Sequence, residues 1–114
     1  MATILAVDDE QPILELIKNG LQKDGHMVTG YVSAEQVPLN SLNRYDLIIL
    51  DIMMPEMDGL EVLAYIKKHH WDDTFAVIMI SAADSPANIK RAYDLGAFDY
   101  ISRPFDSTIV RRRI

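Results

Sequence analysis

Leu47 to Gly59 reads LIILDIMMPEMDG. Leu47 to Leu50 form an unbroken aliphatic run with no polar position for a solvated side, the pattern of a short strand buried on both faces. The run stops on one carboxylate, Asp51, then passes through methionines into Pro55, Asp58 and Gly59, types that shape loops and helix starts. A buried parallel strand ending this way carries its acid to the edge of a sheet.

Similar apolar runs occur at Thr3 to Val7, Met27 to Val32, Phe75 to Ile80 and Phe98 to Ile101, with longer helix-periodic segments between them. Five strand-then-helix repeats are therefore predicted. The first helix starts near Pro12, a favoured first-turn residue, sets Ile13, Leu14, Ile17 and Leu21 on one face, and ends at Gly25. The second is short or distorted, because Ser33 is a good N-cap but Pro38 falls where a continuing helix needs a backbone N–H. The third runs from about Leu60 with Leu60, Val62, Leu63 and Ile66 as its apolar face; the fourth runs from Pro86 to Leu95 and is closed by Gly96. The fifth, capped near Asp106, reaches Arg111, Arg112, Arg113 and Ile114 after little more than two turns. This order predicts an α/β fold, a parallel sheet with helices on both faces, whose ligand crevice lies outside the carboxyl ends of the strands.

The chain has 114 residues, about half of them apolar, enough for one hydrophobic core. With 11 basic against 17 acidic residues its net charge is -6, which opposes attraction to nucleic acid or anionic lipid and points to a cation as small partner. Without cysteine it builds no disulfide framework or thiolate metal site. The start, MATILAVDDE, lacks signal-peptide character, and no apolar run approaches the ~20 residues of a membrane-spanning helix, so a cytoplasmic location without membrane contact is expected.

The strand ends carry the polar residues. Asp8, Asp9 and Glu10 follow the first strand, Asp51 ends the third, Ser81-Ala82 the fourth, and Ser102-Arg103-Pro104 the fifth. Taken alone, Asp8 and Asp9 read as acids at a helix N-terminus. Converging with Asp51, they are like charges that repel unless a proton or cation intervenes, and an all-oxygen set suits Mg²⁺. An aspartate is also a nucleophile towards phosphorus when a metal and a cation neutralise the phosphoryl oxygens. Asp51 is the candidate acceptor, Arg103 the cation and the Ser81 hydroxyl a hydrogen-bond donor.

VDDE at the first strand end, LDIMMPEMDG at the third, ISAAD at the fourth and GAFDYISRPF at the fifth together resemble the receiver domain of two-component response regulators. The likeness spans residues 1–114. It implies a flavodoxin-like, doubly wound five-stranded sheet of order 2-1-3-4-5 with a shortened fifth helix. It further implies that a histidine kinase or histidine phosphotransfer protein donates a phosphoryl group to Asp51, in a Mg²⁺- or Mn²⁺-dependent reaction that the domain itself assists. Such a domain is a signalling switch rather than an enzyme.

Position by position, the resemblance has Asp9 and Asp51 bind the metal directly, Asp8 through water, and Met53 through its backbone carbonyl. Ser81 matches the Thr/Ser that bonds the phosphoryl group, and Tyr100 the aromatic that turns inward when that hydroxyl moves. Arg103 departs from the family's lysine, and a planar guanidinium differs from a compact ammonium. Arg103-Pro104 matches a peptide that is cis in the family, and Met53 and Ala83 flank the site where they influence loss of the phosphoryl group.

The face of the fourth helix, fifth strand and fifth helix would then be read by an output domain, an effector or a second copy in a homodimer. An excised or truncated regulator is expected, with any nucleic-acid contact outside this domain. Two rivals are a degenerate receiver that acts by protein contact alone, and a small phosphatase using an aspartyl nucleophile. The latter lacks the second Asp two residues after Asp51. His69 and His70 read as a solvated helix end, Met54 and Met57 as gap fillers, Pro55 and Gly59 as loop shapers, and the closing RRRI as a linker or helix end.

Overall fold

Five strands pair in parallel in the order β2-β1-β3-β4-β5: β1 Thr3–Val7, β2 Met27–Tyr31, β3 Leu47–Asp51, β4 Ala76–Ser81 and β5 Asp99–Ser102. Among the described residues the α-helices are α1 Gln11–Lys23, α2 Gly59–Lys68 and α3 Pro86–Asp94. The computed structural model describes residues 2–52, 59–69, 71, 75–81 and 86–102, without the side chains of Ser81 and Ser102. The expected fifth helix, the closing arginines, Met53, Met54, Pro55, Met57, His70, Ala83, Arg103 and Pro104 lie outside the described residues.

Alternation along the strands builds two cores. Leu5, Val7, Ile48, Leu50, Val77 and Met79 face Ala34, Leu42, Leu60, Leu63, Ile66 and Ala92 on one side of the sheet. Ile4, Ala6, Ile49, Ile78, Ile80 and Ile101 join Leu14, Ile17 and Leu21 of α1 on the other. All five β3 residues are buried, which is why its sequence shows no alternation of polarity. At roughly 25 cal/mol per Å² of apolar surface, these two layers are the main stabilising term.

β1 has the expected bounds and β2 ends one residue early, at Tyr31, whereas β3, β4 and β5 each run one residue further because backbone pairing continues past the apolar residues. β3 takes in Asp51, and Ser81 pairs with Ser102 at the ends of β4 and β5. Phe75 and Phe98 stand just before their strands rather than in them.

Between β2 and β3 the expected irregular helix is two 3₁₀ turns, Ala34–Gln36 and Leu39–Arg44. Ser33 caps the first, its Oγ accepting from Glu35 N–H at 3.2 Å, and Pro38 breaks the chain before the second. Ala34 and Leu42 keep both turns in the core. Gly25 and Gly96 end α1 and α3 with φ of 87° and 99°, a region that disfavours side chains.

Candidate functional site

Register decides which polar residues meet. Val7 pairs with both Tyr31 and Leu50, so Asp8, the next residue, stands level with Asp51 at the end of the adjacent strand. Asp8 N–H donates to the Tyr31 carbonyl at 3.1 Å, which holds the chain to the β2 edge as it leaves β1. Asp8 Oδ1 accepts from Glu10 N–H at 2.9 Å, tying the turn into α1. Glu10 takes the N-cap place, without a side-chain cap bond, and Pro12 lies in the first turn. Asp8 therefore does part of the helix-start work that acids favour, yet its carboxylate is also buried beside Asp51.

Asp8 and Asp51 are each 1% exposed, whereas Asp9 faces solvent. Carboxylate oxygens of Asp8, Asp9 and Asp51, one from each, lie within 4.8 Å of one another. Burial strengthens repulsion between like charges and equally strengthens attraction to a cation among them. Two oxygens on one Mg²⁺ stand at most about 4.2 Å apart, twice its ~2.1 Å bond length. A small cation among the three oxygens is within reach of all of them, directly or through water. The oxygen-only donor set fits a small hard divalent cation.

Asp51 is fixed from its backbone outward. It pairs with Ile80; Ile52 N–H donates to the Ile80 carbonyl at 2.9 Å, and Gly59 N–H donates to the Ile52 carbonyl at 3.0 Å. The strand end is thus gripped by β4 on one side and the first residue of α2 on the other.

Ser81 is the residue after Ile80, one step beyond the level of Asp51. Its partner in the ladder is Ser102, and Arg103 follows Ser102 in the chain. Tyr100 pairs with Met79 and is half-buried against the same core as Ala92 of α3 and Leu63 of α2. The described structure therefore joins Asp8, Asp9 and Asp51, puts the β4 backbone end beside them, and sets Tyr100 on the α2 and α3 side of the sheet.

Two contributors escaped the sequence reading. The Tyr31 carbonyl, which holds Asp8, leaves no trace in residue type. Gly59 is expected from sequence to shape the loop and the start of the third helix, but its close approach to the Asp51 backbone, opened by the missing side chain, is not visible in residue type. His69 is exposed at the end of α2 as expected, though its ring stacks on Tyr65 with centroids 4.1 Å apart and its Nδ1–H donates to the Tyr65 carbonyl at 2.9 Å.

Among the described residues no helix is long and apolar enough to cross a membrane.

The response regulator receiver domain family matches residues 4–114. The transcriptional regulatory protein YvrH of Bacillus subtilis (strain 168) is 36% identical over 115 residues, covering 99% of this chain and 47% of that protein. The chain thus spans about half the length of this curated relative. Among solved structures, the receiver domain of the Francisella response regulator 1452 is 30% identical with a TM-score of 0.87, over 99% of this chain and 93% of that one. The BeF3-activated receiver domain of DrrB, a Thermotoga maritima OmpR/PhoB homolog, is 27% identical with a TM-score of 0.86, again over 99% and 93%.

Proposed function

The chain belongs to the response regulator receiver domain family, and from that premise we propose that it is a phosphorylatable signalling switch with Asp51 as phosphoryl acceptor. Members of this family are signalling domains of two-component systems rather than enzymes in the ordinary sense. The observation that carries the reading is the buried Asp51 carboxylate at the end of the central strand, with Asp8 and Asp9 oxygens within 4.8 Å of it and of each other.

Asp8, Asp9 and Asp51, with the Met53 backbone carbonyl, would hold Mg²⁺ or Mn²⁺. The bound ion supplies charge neutralisation of the phosphoryl oxygens. An Asp51 carboxylate oxygen forms a bond to phosphorus as the bond from phosphorus to a histidine nitrogen of the donor breaks, the electron pair leaving on the imidazole. A carboxylate needs no general base for this attack. The donor is a histidine kinase or histidine phosphotransfer protein. Ser81 would donate a hydrogen bond to the transferred group, and Arg103, the residue after β5 in the sequence, would supply the positive charge.

Once the phosphoryl group is attached, movement of Ser81 lets Tyr100 turn inward, and α3 shifts with it. Buried residues fix α3 weakly: Ala92 is its one fully buried position, against Leu14, Ile17, Gly20 and Leu21 in α1. The altered face of α3, β5 and the segment after them is read by an output domain, an effector or a second copy in a homodimer. The receiver function is assigned to residues 1–114 as a unit, working in the cytoplasm and without nucleic-acid contact of its own, in keeping with its charge of -6.

Intact-mass analysis with Mg²⁺ and acetyl phosphate tests this. The wild type should gain one phosphoryl mass and Asp51→Asn none; a wild type unlabelled by any small donor or cognate kinase overturns the reading. Arg103 in place of lysine favours one alternative, a receiver acting by protein contact alone. Unchanged partner binding by Asp51→Asn is its signature.

A further inference from the structure

We infer that Gly59 is a positioning residue for Asp51: its missing side chain lets α2 close on the Asp51–Ile52 peptide and so fixes the acceptor carboxylate. The inference rests on Asp51 being the acceptor and extends the site to a residue with no polar side chain.

A Cβ built on Gly59 would overlap the Asp51 carbonyl oxygen, and would come within 3.0 Å of the Asp51 carbonyl carbon and 3.1 Å of Ile52 Cα. All three are backbone atoms of the strand that carries the acceptor, so none can swing aside as the tip of a flexible side chain would. The requirement is for space. Gly59 is not among the positive-φ glycines, which are Gly25 and Gly96, so its backbone conformation is open to any residue.

Nor can α2 retreat to make room. Leu60, Val62, Leu63 and Ile66 are buried in the core under it, and Gly59 N–H is bonded to the Ile52 carbonyl at 3.0 Å. From the other side Ile52 N–H is bonded to the Ile80 carbonyl at 2.9 Å. A side chain at position 59 must therefore displace the end of β3 itself. The Asp51 carboxylate leaves the chain at that point, and a misplacement of ~1 Å at a reacting group costs on the order of 10²-fold in rate.

The test compares Gly59→Ala with Ile66→Val, a substitution that trims the packing of the same helix without approaching Asp51. Mg²⁺ affinity is read from chemical shifts of the Asp51 amide, and phosphoryl transfer from acetyl phosphate is timed by intact mass, both well below the unfolding temperatures. Gly59→Ala should weaken Mg²⁺ binding by about tenfold and slow labelling at saturating Mg²⁺ by ten- to a hundredfold, while Ile66→Val changes neither. A folded Gly59→Ala with wild-type affinity and rate overturns the inference.

A wild-type measurement decides the matter where Gly59→Ala does not fold. During a Mg²⁺ titration the Gly59 amide should shift in step with Asp51 while the Gly30 amide stays still. A static Gly59 amide beside a moving Asp51 overturns it equally. A wild type that binds Mg²⁺ but takes no phosphoryl group defeats the acceptor reading alone, because the shift comparison still decides whether Gly59 holds Asp51.

Discussion

Asp8 and Asp51 meet because Val7 pairs with Leu50, which brings the next residue of each chain segment to the same level at the carboxyl end of the sheet. Both carboxyl groups are withdrawn from solvent, and Asp9 stands beside them at the rim. Charge is thus concentrated where the surroundings screen it least.

Two negative charges ~5 Å apart repel by about 3 kcal/mol at an effective dielectric of ~20. Asp51→Asn is therefore expected to raise the stability of the Mg²⁺-free chain by about 1 kcal/mol, part of the relief being offset by altered hydrogen bonding. Conversely, Mg²⁺ at ten times its Kd should stabilise the wild type by about 1.4 kcal/mol and the variant by less. Urea unfolding with chelator and with Mg²⁺ measures both; equal Mg²⁺ shifts in the two chains would contradict the site.

Ile48 lies fully buried in the central strand among Leu5, Leu63 and Val77 of one core. Ile48→Ala should cost about 3–4 kcal/mol, the loss of transfer free energy plus a residual cavity. That is a large share of the ~5–15 kcal/mol of a typical domain, so the urea midpoint should fall sharply with little change in slope.

Gly25 has φ of 87° and open space around the position where a Cβ would sit. Gly25→Ala should cost about 1 kcal/mol from backbone strain alone, and Gly25→Asn less, since asparagine tolerates this region. Thermal unfolding of the two variants separates strain from crowding; equal losses would mean that something other than the dihedral is at work.

Helix α3 keeps Ala92 buried and leaves most of its length exposed, with a Lys90–Asp94 ion pair on its outer face that adds little. Its amides should exchange with deuterium on the order of tenfold faster than those of α1, and phosphorylation should change α3 more than α1. Exchange followed by mass spectrometry or NMR reports this directly, and uniform protection across both helices would argue against α3 as the element that moves.

The sequence showed much of this because two of its signals are physically simple. An aliphatic run such as Leu47 to Leu50 must be hidden from water, and a proline at 38 must interrupt a helix, so the strand and the irregular crossing after Ser33 were both legible. The strand limits were less so, since the ladder that joins Ser81 to Ser102 uses backbone groups every residue possesses. The roles of Tyr31 and Gly59 were hidden for the same reason: one acts through its carbonyl, the other through an absent side chain.

By itself the sequence determined the alternation of strands and helices and the acids at the strand ends, since burial of apolar residues and local backbone preference act along the chain. Only the tertiary structure decided which acids meet. The parallel register of β1 with β3 sets Asp8 level with Asp51, and Gly59 comes up against the Asp51 carbonyl at the end of β3. The first is a relation between segments more than forty residues apart in the chain, and the second is a backbone approach between the end of β3 and the start of the helix that follows it; residue type and local spacing encode neither.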